Sequence, residues 1–164
     1  MSHLNRITPS KTGFQGTKTW STLNNFLSMA PKTALDSRDY KFLSYAEQAS
    51  RLSSRNRHRV GCVITQKNDV VSQGFNTDKT HPFQARWNQY SSSLHAEIAA
   101  LLSAMKNPGF NPERCTVYVS RYTRRGFLGC SYPCRSCWAA LEHIGVQRIV
   151  CYDEQDRPTK ICLK

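Results

Sequence analysis

From residue 36 onward, apolar and polar positions follow two distinct rhythms. Tyr40, Leu43, Ala46, Ala49 and Leu52 recur at three-residue steps behind Asp36, a side chain suited to capping a helix N-terminus, until a Ser/Arg/Asn-rich stretch ends the pattern. This predicts the first helix. Residues 59–66 (RVGCVITQ) and 70–75 (VVSQGF) are rich in β-branched side chains and flank the polar turn Lys67-Asn68-Asp69, which predicts an antiparallel hairpin. Residues 76–93 are polar and broken by Pro82, and predict a loop long enough to suggest a function. Strong helix formers over 94–106 (LHAEIAALLSAMK), halted by Asn107-Pro108-Gly109, predict the second helix. Residues 115–121 (CTVYVSR) predict a third strand. A third helix is expected over 133–144 (PCRSCWAALEHI), with Pro133 in its first turn and Gly145 just past its end, and a fourth strand over 147–152 (QRIVCY). After the hairpin the order helix, strand, helix, strand calls for parallel crossovers, and so for a three-layer α/β/α sandwich with a mixed sheet.

Residues 1–35 lack either rhythm. They contain Arg6, Lys11, Lys18 and Lys32, ten Ser/Thr up to Thr33 and no acidic residue. The expected organisation is a basic polar arm over 1–35 and one domain over 36–164. A flexible or partner-binding arm, an arm docked on the domain and a targeting segment are all compatible with this composition.

Composition narrows the class. In 164 residues, 39% hydrophobic content suffices for one core. No run approaches the roughly 18 apolar residues of a membrane span, and no apolar leader opens the chain, so a membrane protein is excluded and secretion disfavoured. Seven cysteines cannot all pair. A reducing, cytoplasmic setting with thiols available to a metal is expected. Lys and Arg number 23 against 11 Asp and Glu, a net +12, which points to partners carrying phosphate and away from cationic or purely apolar ligands.

Two short motifs carry the chemistry: His95-Ala96-Glu97 and Pro133-Cys134-Arg135-Ser136-Cys137, at the starts of the second and third predicted helices. Together they form the H-x-E…P-C-x-x-C pattern of zinc-dependent base deaminases. Cys134 and Cys137, three residues apart, share one helix face and can grip one ion, and a helix N-terminus favours both as thiolates. His95 supplies a third ligand and leaves a fourth position to water. Two thiolates and a neutral imidazole make the zinc site formally neutral, so a general base is needed, and Glu97 is placed to serve. The competing reading recruits Cys130 to close a Cys₃His site, giving a zinc module that binds nucleic acid without turnover.

On these motifs the chain resembles the cytidine/deoxycytidylate deaminase superfamily over residues 38–152. The resemblance includes the hairpin RVGCVITQKNDVVSQGFN, the block HAEIAALLSAM, and VYVSR followed by PCRSC and GVQRIVCY. It implies a cytidine-deaminase-like fold and one catalytic zinc ion held by His95, Cys134 and Cys137, with Glu97 as proton shuttle. It also implies that Asn76 contacts the sugar or base and that the Ala96 backbone N–H meets the base carbonyl. A plain turn residue after a strand is the other reading of Asn76. Ala99 stands where deoxycytidylate deaminases often carry asparagine, so HAEIAAL is closer to the tRNA adenosine deaminases. The long basic approach over 122–132 is unlike theirs. Lys79-Thr80-His81-Pro82 resembles virus-encoded deaminase-like proteins.

Two basic clusters surround these motifs: Arg51, Arg55, Arg57, His58 and Arg59, and then Arg121, Arg124 and Arg125. Arg124 and Arg125 are candidates for a substrate phosphate, and Tyr132, with Tyr122 and Phe127, for stacking on a base. The alternative is a solvated basic face over an aromatic core. Phe83, Trp87 and Tyr90 either line the pocket or anchor the loop. Cys62, Cys115 and Cys151 read as core residues, Cys162 as part of an uninformative tail, and His3, His58, His81 and His143 lack ligand spacing. The expected activity is hydrolysis of cytosine to uracil and ammonia on a (deoxy)cytidine nucleotide such as dCMP. The alternatives are cytosine within single-stranded DNA or RNA, tRNA adenosine, and a non-catalytic module. No membrane partner is expected, and a homo-oligomer is left open.

Overall fold

The computed structural model of the protein describes residues 32–163. Its framework is a mixed sheet of seven strands: β1 (Lys32–Thr33), β2 (Arg59–Gln66), β3 (Asp69–Phe75), β4 (Cys115–Tyr122), β5 (Leu128–Gly129), β6 (Arg148–Tyr152) and β7 (Pro158–Cys162). The order across it is β1-β7-β6-β4-β2-β3, with β5 paired to the end of β4. β4 and β6 run parallel and the other pairs antiparallel. Among the described residues the α-helices are α1 (Ser37–Ser50), α2 (Pro82–Trp87), α3 (Ala96–Ala104) and α4 (Arg135–Ile144).

Alternation along the strands divides the core between the two faces of the sheet. Val63, Tyr118 and Val150 pack with Phe42, Leu43 and Ala46 of α1. Their neighbours Cys62, Ile64, Val117, Val119, Ile149 and Cys151 face α3 and α4 instead, against Ala96, Ala100, Leu101, Trp138 and Leu141. The three-layer sandwich expected from the sequence is therefore present. Two glycines bring the helices close to the sheet. A Cβ on Gly61 would run into the backbone of Ala46 and Ser50, and one on Gly74 into the backbone of Ala96 and Ala100.

The first helix begins as expected at an Asp36 N-cap, but its buried stripe differs. Leu43, Ala46 and Ala49 are buried, whereas Tyr40 and Leu52 are exposed and Asp39 and Phe42 take their place. Three-residue steps fall short of a helical turn by about 60° each, so the ends of such a stripe rotate out, while 39, 42, 43 and 46 stay together.

Four other expectations are corrected. Within the predicted loop over 76–93, Pro82 opens α2, because its missing N–H costs nothing at the first helical position, and the His81 ring caps the helix by accepting from the Phe83 N–H at 3.1 Å. Pro133 is not in the first turn of α4 but one residue ahead of the N-cap, Cys134. The tail holding Cys162 forms β7, whose Thr159 and Ile161 face inward, followed by Leu163, in a period-two pattern. Lys32 and Thr33, at the end of the predicted arm, pair with Ile161 and Lys160 of β7. The remainder of the arm lies outside the described residues.

Candidate active site

β3 ends at Phe75, and the chain crosses the sheet through α2 and α3 before returning in β4. This brings the N-termini of α3 and α4 together at one end of the sheet. His95 is the N-cap of α3 and Cys134 the N-cap of α4, yet neither side chain caps its helix. N-caps are ordinarily Ser, Thr, Asp or Asn, whose oxygens bond the first-turn N–H groups. Here both N-cap side chains turn toward one point, with Cys137 on the first turn of α4.

His95 Nδ1 lies 3.4 Å from the Cys134 sulfur and 3.3 Å from the Cys137 sulfur. The three ligand atoms all fall within 4.8 Å of one another. A tetrahedral zinc ion with bonds of about 2.3 Å to sulfur and about 2.0 Å to nitrogen sets its sulfur and nitrogen ligands roughly 3.5 Å apart, so this donor set fits the ion. Cys130 does not join the group among the described residues, so the closed Cys₃His arrangement is not assembled here. The backbone N–H of His95 donates to Gln84 Oε1 of α2 at 3.2 Å, and Gln84 is itself buried. The helix missed in the sequence thus holds the histidine's backbone.

Electrostatics at this point are unlike the rest of the core. The Cys134 thiol is held down to about 3 by the hydrogen bond from Cys137, then by those from His95 and Ser136, against the opposing effect of burial. Cys137, the donor in that bond, is pushed well up by it and by burial. The bond to Cys134 raises His95 despite burial. Burial lifts the Glu97 carboxyl to about 7, with the negative Cys134 sulfur adding to the rise. A carboxyl buried beside a metal-ligand set, poised near neutrality, has the properties of a proton carrier.

A cavity of about 310 Å³ opens onto this group. His95, Ala96, Glu97, Cys134, Asn76 and Tyr132, all selected from the sequence, line it, and Cys137 is buried behind them. The Ala96 N–H belongs to the first turn of α3, whose N–H groups have no partner within the helix. Asn76 is largely committed to the protein. Its Oδ1 accepts from the Ser53 hydroxyl at 2.7 Å and the Val60 N–H at 2.8 Å, and its Nδ2 donates to the His58 carbonyl at 2.7 Å. One amide hydrogen is left for a ligand. Arg124 and Arg125 are exposed on the turn between β4 and β5 and are not part of the cavity wall, which takes its arginines from Arg55 and Arg121. Both belong to the basic clusters visible in the sequence, but nothing in those clusters singled them out. His58, from the first basic cluster, is also on the wall, as are Ser93 and Ser131, which carried no signal.

Comparison with known proteins places this geometry among relatives. The family model for the cytidine and deoxycytidylate deaminase zinc-binding region matches residues 36–153. An uncharacterised deaminase of Aliivibrio fischeri is 27% identical over 121 residues, covering 71% of this chain and 73% of its own. The cytosine deaminase of Candida albicans is 30% identical over 114 residues, covering 68% of this chain and 64% of its own. The chain spans 42% of the Schizosaccharomyces pombe deoxycytidylate deaminase, at 26% identity over 147 residues. Among solved structures, the dCMP deaminase of cyanophage S-TIM5 superposes with a TM-score of 0.53 at 19% identity, over 71% of this chain and 82% of its own. The cytidine deaminase of Burkholderia pseudomallei does so with a TM-score of 0.56 at 20% identity, over 75% of this chain and 91% of its own.

Proposed function

The chain belongs to the cytidine and deoxycytidylate deaminase family, hydrolases of C–N bonds, and on that premise we propose that it is a zinc-dependent deaminase converting cytosine to uracil on a cytidine nucleotide such as dCMP. The observation that carries this reading is the convergence of His95, Cys134 and Cys137 within 4.8 Å of one another beside the buried Glu97, with His95, Cys134 and Glu97 on the wall of one cavity. Bound at these three ligands, zinc supplies a Lewis acid that activates water near neutral pH.

The chain's own residues move the protons. Glu97 takes a proton from the attacking water as the hydroxyl adds to C4 of cytosine, and passes it to ring N3. Glu97 then carries the proton of the C4 hydroxyl to the 4-amino group, the C4–N bond breaks as the C4 carbonyl forms, and ammonia leaves, so that cytosine and water balance uracil and ammonia. The Ala96 N–H faces the base carbonyl, and the remaining Asn76 amide hydrogen meets the sugar or base. Gln84 keeps His95 in register by accepting its backbone N–H.

The exposed Arg124, Arg125 and Phe127, on the turn that follows Arg121, favour a second reading, cytosine within a single strand. One experiment tests both: ammonia release by the zinc-loaded full chain on dCMP, CMP and a single-stranded oligonucleotide. The expected result is turnover of the mononucleotides, lost on zinc chelation, restored by zinc, and absent in Glu97→Ala. Turnover confined to the oligonucleotide, falling steeply with salt, would establish the strand reading. Zinc-independent or Glu97-independent turnover would overturn the mechanism.

A further inference from the structure

Arg121 is unlike the other arginines of the described residues in how it is placed. It sits near the end of β4, paired with Val60 of β2 on one side and Gly129 of β5 on the other. Its side chain lies along Gly129, where an added Cβ would come within 3.3 Å of Nη2 and 3.7 Å of Nε. The absence of a side chain at Gly129 therefore gives the guanidinium room against the backbone, on the wall of the cavity that contains His95, Glu97 and Cys134.

Its Nε is buried and has no hydrogen-bond partner, and no ion pair involves Arg121 among the described residues. Arg55, the other arginine on the wall, pairs with Asp78 at 3.0 Å. Asp153, near the same end of the sheet, is occupied by Arg157. A buried donor with no protein acceptor is rare in a native fold, and a guanidinium presents a planar fork suited to phosphate oxygens. Of the three parts of a nucleotide, the phosphate alone is anionic.

We propose that Arg121 recognises the phosphate of a cytidine mononucleotide in this cavity and so selects nucleotides over the nucleoside and the free base. This rests on the cytidine deaminase reading above and adds the group that reads the phosphate. β5, the two-residue strand that follows the basic turn, pairs with the end of β4 and sets Gly129 against the Arg121 side chain on the cavity wall.

The test uses the zinc-loaded full chain as wild type, Arg121→Met and Arg121→Lys. It measures kcat/KM on dCMP, deoxycytidine and an oligonucleotide with an internal cytosine, and calorimetric binding of dUMP and deoxyuridine. In Arg121→Met, the ratio of dCMP to deoxycytidine efficiency should fall roughly 10- to 100-fold, mainly through KM, and dUMP binding should weaken by a similar factor. Arg121→Lys, which keeps the charge but loses the fork, should fall in between, and it carries the test if the methionine variant does not fold. A ratio that stays within about two-fold in a folded, zinc-replete variant overturns the proposal. Dependence on Arg121 for the oligonucleotide alone also overturns it, assigning the arginine to a strand diester. If no substrate releases ammonia but dUMP binding depends on Arg121, the deaminase reading falls and the phosphate site stands. If dUMP binds no better than deoxyuridine, the phosphate site falls whatever the turnover.

Discussion

At the N-terminus of α1, the Asp36 carboxylate accepts from the N–H groups of Arg38 and Asp39, and the Asp39 carboxylate accepts from the Asp36 N–H at 3.0 Å. At the N-termini of α3 and α4, His95 and Cys134 occupy the same position and cap nothing. The contrast extends into the core. Asp39 is buried and fully engaged, accepting from the Tyr118 hydroxyl at 2.9 Å and from the Lys160 ammonium at 2.7 Å. Burial and that bond push the Tyr118 hydroxyl up, so it stays a donor. Glu97 is as well buried and, like Asp39, borders a cavity, yet it lies against thiols, with its carboxyl lifted to about 7. One end of the sheet satisfies its polar groups internally and thereby stabilises the fold. The other end leaves its helix caps and buried groups turned toward a space, a departure from local rules of the kind found at reaction centres.

The sharpest way to break this comparison is to replace the two buried carboxylates in turn. Glu97→Gln keeps the shape and removes the proton carrier. Turnover of dCMP should fall by about 10²- to 10⁴-fold, with no drop in the denaturant midpoint of the zinc-loaded protein. Asp39→Ala should do the reverse, costing about 3–5 kcal/mol in denaturant unfolding by leaving Lys160 without its partner, while turnover per folded molecule stays within about two-fold. If Asp39→Ala abolished turnover in the folded protein, the two ends of the sheet would not be separable.

The glycines sharpen the same contrast. Gly61→Ala and Gly74→Ala each force a methyl into helix backbone, and each should cost about 1–3 kcal/mol of stability. Gly61 faces α1, whereas Gly74 faces Ala96 and Ala100 of α3, which carries His95 and Glu97. Zinc affinity and kcat should therefore drop in Gly74→Ala and hold in Gly61→Ala. Equal effects on zinc binding would show that the α3 position is not what sets the metal site.

The smallest effect concerns acid stability. Burial alone would raise the Asp153 carboxyl, but the backbone N–H groups of Arg157 and Gln155 and the Arg157 guanidinium bring it below its ordinary value. A carboxyl with a depressed folded pKa contributes stability that is present above its unfolded value of about 4 and is lost as pH falls through the folded value. Asp153→Asn should therefore flatten the acid limb of the stability curve below about pH 4, read from thermal midpoints across pH. An unchanged acid limb would mean that the turn between β6 and β7 contributes nothing to it.

The zinc-ligand candidates and Glu97 were legible because their chemistry is local: a ligand and its base two residues apart, and two cysteines one helical turn apart. Local spacing fixes their relative placement before any tertiary contact forms. The strands of the hairpin and the α1 N-cap were legible for the same reason. α2 was not, because Pro82 serves equally to break a helix and to start one, and only the packing of Phe83 and Trp87 under α3 and α4 decides between them.

The cavity arginines follow the same division. Arg121, Arg124 and Arg125 are one cluster in sequence, and each could bind a phosphate. Arg121, paired with Gly129, stands on the cavity wall, and the other two are left on an exposed turn. By itself, then, the sequence determined the order of the longer helices and strands from α1 to β6, α2 excepted, and the spacing within the H-x-E and C-x-x-C motifs, all of which depend on periodicities of two to four residues. Tertiary structure decided which helix ends meet, that Cys130 stays out of the ligand group, that Asn76 is bound up in holding a loop, and which arginines line the cavity. Those outcomes depend on strand register and on close approach between segments distant in the chain, which short-range spacing does not encode.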